Sequence, residues 1–533
     1  MAIDIQGMGG SALRLAVAVD LTRNGTFSDS NEDITGYVKS IEWQNGFAQP
    51  FDVIARDTSL RLTLNNADKR FSPENTGGAL GKNFTRGRVI RVSASYSGSA
   101  FTMLNAWIGA IRPSAGKFLD RQVEVETEGY MSRAQKAEVF IPVQSSKTAD
   151  QVIGTVMSNT NIYPPGFTGR WLLGTIGFSE LGENTILGVT SDYLNAETGK
   201  STFVFAGDNW HDGVSVYGAL KELSGREFGR LYLDRSGIIN WWNRHHLITA
   251  TTISASFNDT MQGIGYEYGD DVINRVIVQA RPRLVSASGQ TLGQTDRAFK
   301  VKASGSALVA FRYADQSSGA NISGCAAISP SRNTDFTGNT ASDGSGTDNT
   351  SLFSTCIINQ YATRTEVMFG NSHTADLWVG SGAKIRGTKI TDWGQVDMVR
   401  QDDASIGLYG RQLWSYPYAM DNISDASALV DYMADIRNEP RGRVITMTIT
   451  PRNSAALMTQ AMQRTIGDRI AIAETQTGTA ADYFIIGEIH KFDMGAVNYQ
   501  VTWLLERADA NQYWVLGATG FSELGQTTYL GPL

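Results

Sequence analysis

From Leu13 to about Val143 the chain alternates apolar and polar residues in short runs: LRLAVAVDL, YVKSIEW, LRLTLNN, RVIRVSASY, MLNAWIGAI and RQVEVETEGY. A period of two over four to eight residues predicts half-buried strands, and polar turn residues separate each run from the next. Strands this short and this evenly spaced predict a barrel or sandwich. Within this stretch, Leu60, Leu62 and Leu64 alternate against Arg61 and Thr63 before Asn65, Asn66 and Asp68, and Pro73 follows where the chain must leave the sheet. The period changes at Thr148–Met157, where Thr148 and Gln151 fit a capping box and Val152, Ile153, Val156 and Met157 share one helical face. Asp212–Ser224 predicts a second helix with Tyr217, Leu220 and Leu223 inside and Gly225 as its stop. REFGRLYLDRSGIINWWNRHH then reads as a hairpin turning at Asp234–Gly237.

Strand patterns resume from about Phe257 to Arg283, and again in SALVAFRYA, TEVMFGN and ADLWVGSGAKI. Between these last runs lies NTDFTGNTASDGSGTDNTS, so poor in apolar residues that it predicts a long exposed loop. DDASIGLYGRQLWSYPY reads as a strand and turn. Ser424 then caps a helix carrying Ala426, Leu429, Val430, Met433 and Ile436 on one face, ended by Pro440. RVITMTITPR, IGDRIAIAE, DYFIIGEIHKF and YQVTWLLERAD supply the last strands.

At 533 residues the chain exceeds one ordinary core and suggests about three to four domains. Its 55 glycines against 12 prolines favour many short strands and turns over long helices. The net charge of −7, with no run of Lys or Arg, argues against a nucleic-acid binder, although a weakly acidic wall would let DNA slide past. The N-terminus lacks the pattern of a signal peptide and no apolar run is long enough to cross a bilayer, so assembly in the cytoplasm is expected. Cys325 and Cys356, in strand-like apolar contexts, are expected to be core thiols.

One segment occurs twice. WLLGTIGFSELGENTILG, Trp171–Gly188, returns as WVLGATGFSELGQTTYLG, Trp514–Gly531, with identity at twelve of eighteen positions. Gly-Phe-Ser-Glu-Leu-Gly does not match the spacing of a nucleophile elbow, so Ser179 and Ser522 are not expected to be catalytic. A packed clasp or a docking hook fits better, and its binding residues would be Trp171, Phe178 and Leu181 with Trp514, Phe521 and Leu524. The five histidines show no metal-ligand spacing, His245 and His246 being adjacent and so on opposite faces of a strand. Asp343, Ser345 and Asp348 lack the spacing of a calcium loop, and Trp378 and Trp393 read as core aromatics rather than a glycan platform. Glu222, Glu227 and Asp234 are explained by a helix end and a turn. No catalytic constellation, cofactor site or metal site is expected.

Three blocks carry a family resemblance. L-T-L-N-N-A-D-K-R-F-S-P-E-N at Leu62–Asn75 behind the tryptophan strand, E-F-G-R-L-Y-L-D-R-S-G at Glu227–Gly237, and S-I-G-L-Y-G-R with a helix and E-P-R at Ser405–Arg441 resemble, in this order, the siphophage tail-tip or baseplate hub family; Asn274, Val276 and Val278 supply a strand that the family also carries. The resemblance weakens between Ser286 and Thr391. It implies a mainly β fold with a few short helices: two β-barrel hub domains at 1–145 and at 251–285 with 392–510, the latter including a helix at 424–437. Outside those domains, the residues themselves suggest an α+β segment at 146–250, an inserted β-domain at 286–391 carrying the polar loop, and a terminal segment at 511–533. By the same resemblance the chain is a structural, non-enzymatic virion protein: a homotrimer at the tail tip, joining a distal tail or tail tube protein to tail fibre or central spike proteins around the channel used by the tape measure protein and DNA. An adhesin that touches the host cell surface glycan through the 286–391 insert is the alternative, and no peptidoglycan-cleaving extension is expected.

Overall fold

The computed structural model describes residues 3–6, 12–114, 120–160, 162–166, 193–210, 213–269, 271–315, 317–493 and 498–508. The architecture is mainly β with short helices, in several sheets. Its framework is a thirteen-stranded sheet that draws strands from both ends of the chain. Alternation fixes which face of each strand is buried: Leu60, Leu62 and Leu64 are all at most 1% exposed while Arg61 points outward.

The sheet consists of two units with one topology. The first contains, in chain order, Ala12–Val19, Val38–Gly46, Ser59–Asn65, Val89–Tyr96, Ser99–Pro113 and Gln122–Glu128, with Ile3–Gln6 added outside Ala12–Val19. The second contains Ile253–Asn258, Gly263–Tyr268, Gly442–Ile449, Arg469–Glu474, Thr479–Asp493 and Asn498–Arg507. Numbered from first to sixth within each unit, the strands lie in the order 1-4-5-6-3-2 in both. The fifth strand is 15 residues long in each. In both, the chain enters the fourth strand through a glycine at positive φ that ties it to the fifth: Gly87 N–H donates to the Ile108 carbonyl and Ile108 N–H to that of Arg88, as Gly467 N–H donates to the Ile485 carbonyl and Ile485 N–H to that of Asp468. The ladder to the sixth strand then slips, at Ile108/Ala110 and at Ile485/Gly487. The units differ at one edge, where strands 1 and 4 pair antiparallel in the first and parallel in the second. Among the described residues strand pairing joins the two units into one sheet and does not by itself close either of them.

Each unit is filled by the connection between its third and fourth strands. In the first, the segment that includes RFSPEN buries Phe71, Leu80 and Phe84; in the second, helix Ala455–Gln463 buries Leu457, Met458, Ala461 and Met462. Two large insertions leave this frame. The described residues between Glu128 and Ile253 form a small domain around helices Ala149–Ser158 and Val216–Glu227 and the hairpin Arg230–Leu233/Ile239–Trp242, with its own core. Gln151 accepts from the Thr148 N–H at 3.2 Å, the capping contact expected from sequence. The second helix runs past Gly225, because that glycine serves packing: an added Cβ would meet the Tyr418 ring at 2.3 Å. It ends instead at Phe228, in the left-handed region at φ 57°.

The other insertion, between Tyr268 and Gly442, has two parts. Arg275–Ala280, Val396–Gln401 and Leu413–Ser415 make a three-stranded sheet covered by helix Ile423–Arg437, which therefore packs beside the second unit, on a sheet of its own. The Asp403–Tyr409 stretch, read as strand and turn, is a helix because the Asp402 carboxylate caps it by accepting from the Ser405 N–H at 3.0 Å. The residues from Arg283 to Asp392 form three further small sheets around Phe311, Phe353 and Phe369. Arg226, Arg283, Asp208 and Asp421, all nearly buried, tie this insert to the helical domain, with Arg283 2.9 Å from Asp208 and Arg226 bonded to Asp421. Cys325 is buried, but Cys356 is exposed because its place in the alternation of Phe353–Gln360 faces out. Trp393 is 69% exposed and is not a core aromatic.

Candidate functional site

The two units meet where strand 2 of the first, Val38–Gly46, pairs antiparallel with the second half of strand 5 of the second, Gly487–Asp493. Trp43 lies opposite His490, and their rings stack at 4.6 Å with an interplanar angle of 7°. Phe492 stacks on Trp43 from 5.8 Å and on Tyr499 at 3.9 Å. Trp43, His490, Phe492 and Tyr499 are at most 2% exposed, so the junction is a continuous aromatic core crossing from one unit to the other.

A turn of the inserted domain locks this junction. Asp234 shapes the turn, accepting from Ile238 N–H at 3.0 Å, and Gly237 closes it at φ +76°. The shape aims Arg235 at Glu488, with Nε to Oε1 at 3.0 Å and Nη2 to Oε2 at 2.6 Å, a bidentate pair. Its remaining donors go to the Met462 carbonyl at 2.7 Å and the Arg464 carbonyl at 2.6 Å. On the other side, Asn105 of the first unit donates to the Ser236 carbonyl at 2.7 Å and Asn45 of the junction strand to the Leu233 carbonyl at 2.8 Å. One four-residue turn thus holds both units and the strand that joins them.

Electrostatics follow from burial. Burial pulls the Glu488 carboxyl up, but the Arg235 guanidinium and the His490 ring outweigh it and hold it down at about 2. Burial lowers the His490 imidazole below its ordinary value, and the neighbouring Glu488 opposes this without restoring it. The folded chain therefore takes up this proton only at lower pH than the unfolded chain, which protonates the ring below about pH 6.5. Stability contributed by this ring is present above pH 6.5 and is lost as pH falls below it; Glu488 adds a further loss between about 4.3 and its lowered value. Thermal unfolding midpoints are expected to drop from pH 7 to pH 5, and to drop less in His490→Gln. An identical pH slope in that variant would remove His490 as the cause.

Of the residues assigned a binding role from sequence, Trp171, Phe178, Leu181, Trp514, Phe521 and Leu524 lie outside the described residues. The carboxylates near the second helix are engaged: Glu222 accepts from Trp210 Nε1 at 2.8 Å, and Glu227 from the backbone of Lys200 at 2.7 Å and Ser201 at 3.0 Å. Asp343 and Asp348 accept from Ser345 and Thr350, shaping their own loop. That loop is not wholly exposed, since Asp335 pairs with Arg386 at 2.7 Å and Phe336 is buried. His246 is on a short helix, stacked on Trp242 and 2.6 Å from Glu197. Sequence reasoning missed Arg235, Glu488 and His490; the local signal of Glu488 and His490 was a charged or polar residue within an apolar strand, and Arg235 in its turn had none.

No family model matches the chain, and no curated protein matches it. Among solved structures it is similar to the 43 kDa tail protein of prophage MuSo2 from Shewanella oneidensis, at 9% identity and a TM-score of 0.45, over 93% of this chain and 99% of that one. It is also similar to a tail protein from Neisseria meningitidis, at 8% identity and 0.44, over 93% and 96%. A third is a prophage tail protein from Listeria monocytogenes, at 8% and 0.36, over 92% and 94%.

Proposed function

We propose that this chain is the hub of a phage tail tip, a structural virion protein with no catalytic role. The observation that carries the reading is the repeated 1-4-5-6-3-2 unit within one chain. Two equivalent units per chain turn a homotrimer into a ring of six similar units, a threefold body able to face a sixfold one. A tail tube or distal tail ring is such a partner, and the three sequence blocks resembling tail-tip hubs point to it independently. On the other side the hub would carry tail fibre or central spike proteins, and its centre would pass the tape measure protein and DNA. The net charge of −7 suits a wall that does not hold the passing polymer.

Native mass spectrometry of the purified chain tests this. The expected species is three chain masses, and it should capture purified distal tail or tail tube protein as a sixfold ring. A chain that stays monomeric or dimeric at tens of micromolar, with no capture, would overturn the reading.

A further inference from the structure

The junction inside the chain has an unused counterpart at its two free ends. Strand 2 of the first unit covers the far half of strand 5 of the second, Gly487–Asp493. The equivalent of that far half in the first unit is Ala110–Pro113 with Ser114, as the shared hydrogen bonds at Ile108 and Ile485 and the slips just after them establish. There the ladder to the fourth strand has already ended at Trp107, so among the described residues Gly109–Pro113 pairs only with the sixth strand and its other edge is uncovered. The equivalent of the junction strand in the second unit is Gly263–Tyr268. Among the described residues it pairs only with Gly442–Ile449 and ends the sheet. It also bears exposed aromatics, with Tyr266 38% and Tyr268 66% accessible.

We propose that Gly265–Tyr268 of one molecule adds as an antiparallel strand to the uncovered edge of Gly109–Ser114 in a second copy of this chain, repeating between molecules the junction made within each. Carrying the internal register across sets Tyr266 opposite Pro113, as Trp43 is opposite His490. It sets Glu267 opposite Arg112 and Tyr268 opposite Ile111. Each pair is complementary: an aromatic on a proline, a carboxylate against a guanidinium, and a tyrosine on an isoleucine. Glu267 already bonds Arg443 at 2.9 Å, and Arg112 bonds Glu126 at 2.6 Å, so contact would align four charges of alternating sign. Pro113 has no N–H and accepts only, which keeps this edge from pairing indiscriminately. The contact is head-to-tail and uses different surfaces on the two partners, so it propagates until a ring closes.

The inference rests on the hub reading and names the surfaces by which its copies meet. The test is the full chain with Tyr268→Cys and Ile111→Cys in a Cys356→Ser background, oxidised and run without reductant. Covalent dimers and trimers are expected, lost with reductant and absent from either single variant. Hydrogen exchange of the unaltered chain guards against misfolding of the variant: amides of Gly265–Tyr268 and of Gly109–Arg112 should gain protection on going from dilute monomer to oligomer. A threefold oligomer with neither cross-link nor protection would overturn this interface while leaving the hub reading intact. A chain that never oligomerises would overturn both.

Discussion

Arg235→Ala is expected to lower the stability of the folded chain by about 3–5 kcal/mol, because it leaves the Glu488 carboxylate, 0% exposed, buried without its bidentate partner. The loss should be larger than that of any surface ion pair, such as Lys39 with Asp120, where both groups are well exposed and the pair contributes at most about 1 kcal/mol. Two carbonyl acceptors, of Met462 and Arg464, lose their donors in the same step. The double variant Arg235→Ala/Glu488→Gln removes the stranded charge and should recover part of the loss, which a single cavity cannot explain. Urea unfolding at pH 7 reads all three. A loss below about 1 kcal/mol for Arg235→Ala would show that the turn does not lock the junction.

Much of the frame was legible because alternation is local. Leu13, Leu15, Val17 and Val19 face one way on any reading, and the structure buries all four. The predominantly apolar runs MLNAWI and YFIIGE, each carrying one polar residue, were also legible as strands: both are buried throughout, as strands covered on two faces must be. The pairing of Val38–Gly46 with Gly487–Asp493 was not legible, since it joins residues some hundreds of positions apart and leaves no periodic trace. The same holds for the equivalence of the two units, which lies in strand order and in the Gly87 and Gly467 turns. Arg235 was read as an ordinary turn residue because a turn with Asp, Ser and Gly is normally at the surface. What buries this one comes from Asn105, Met462 and Glu488, none of them near in sequence. Gly225 shows the converse, a stop signal overridden by the packing of Tyr418 against it.

Trp43→Ala is expected to cost about 3–5 kcal/mol, since it removes a side chain 1% exposed that stacks on His490 and Phe492 and that relaxation of a two-unit core cannot refill. Trp43→Phe should cost far less. The indole Nε1 is buried with no hydrogen-bond partner among the described residues, so Phe gives up area but also removes an unsatisfied donor, and the ring still stacks. The two variants therefore separate ring stacking from the polar atom. Position adds a second signature. Leu15→Ala, on a strand of the first unit that does not pair across the junction, should destabilise that unit, whereas Trp43→Ala opens the strand that joins both. Hydrogen exchange should accordingly rise in Trp43→Ala at Ser40–Gly46 and Gly487–Asp493 together, before the rest of the sheet. Exchange rising evenly over the first unit would mean that Trp43 is an ordinary core residue and that the units do not depend on it for their union.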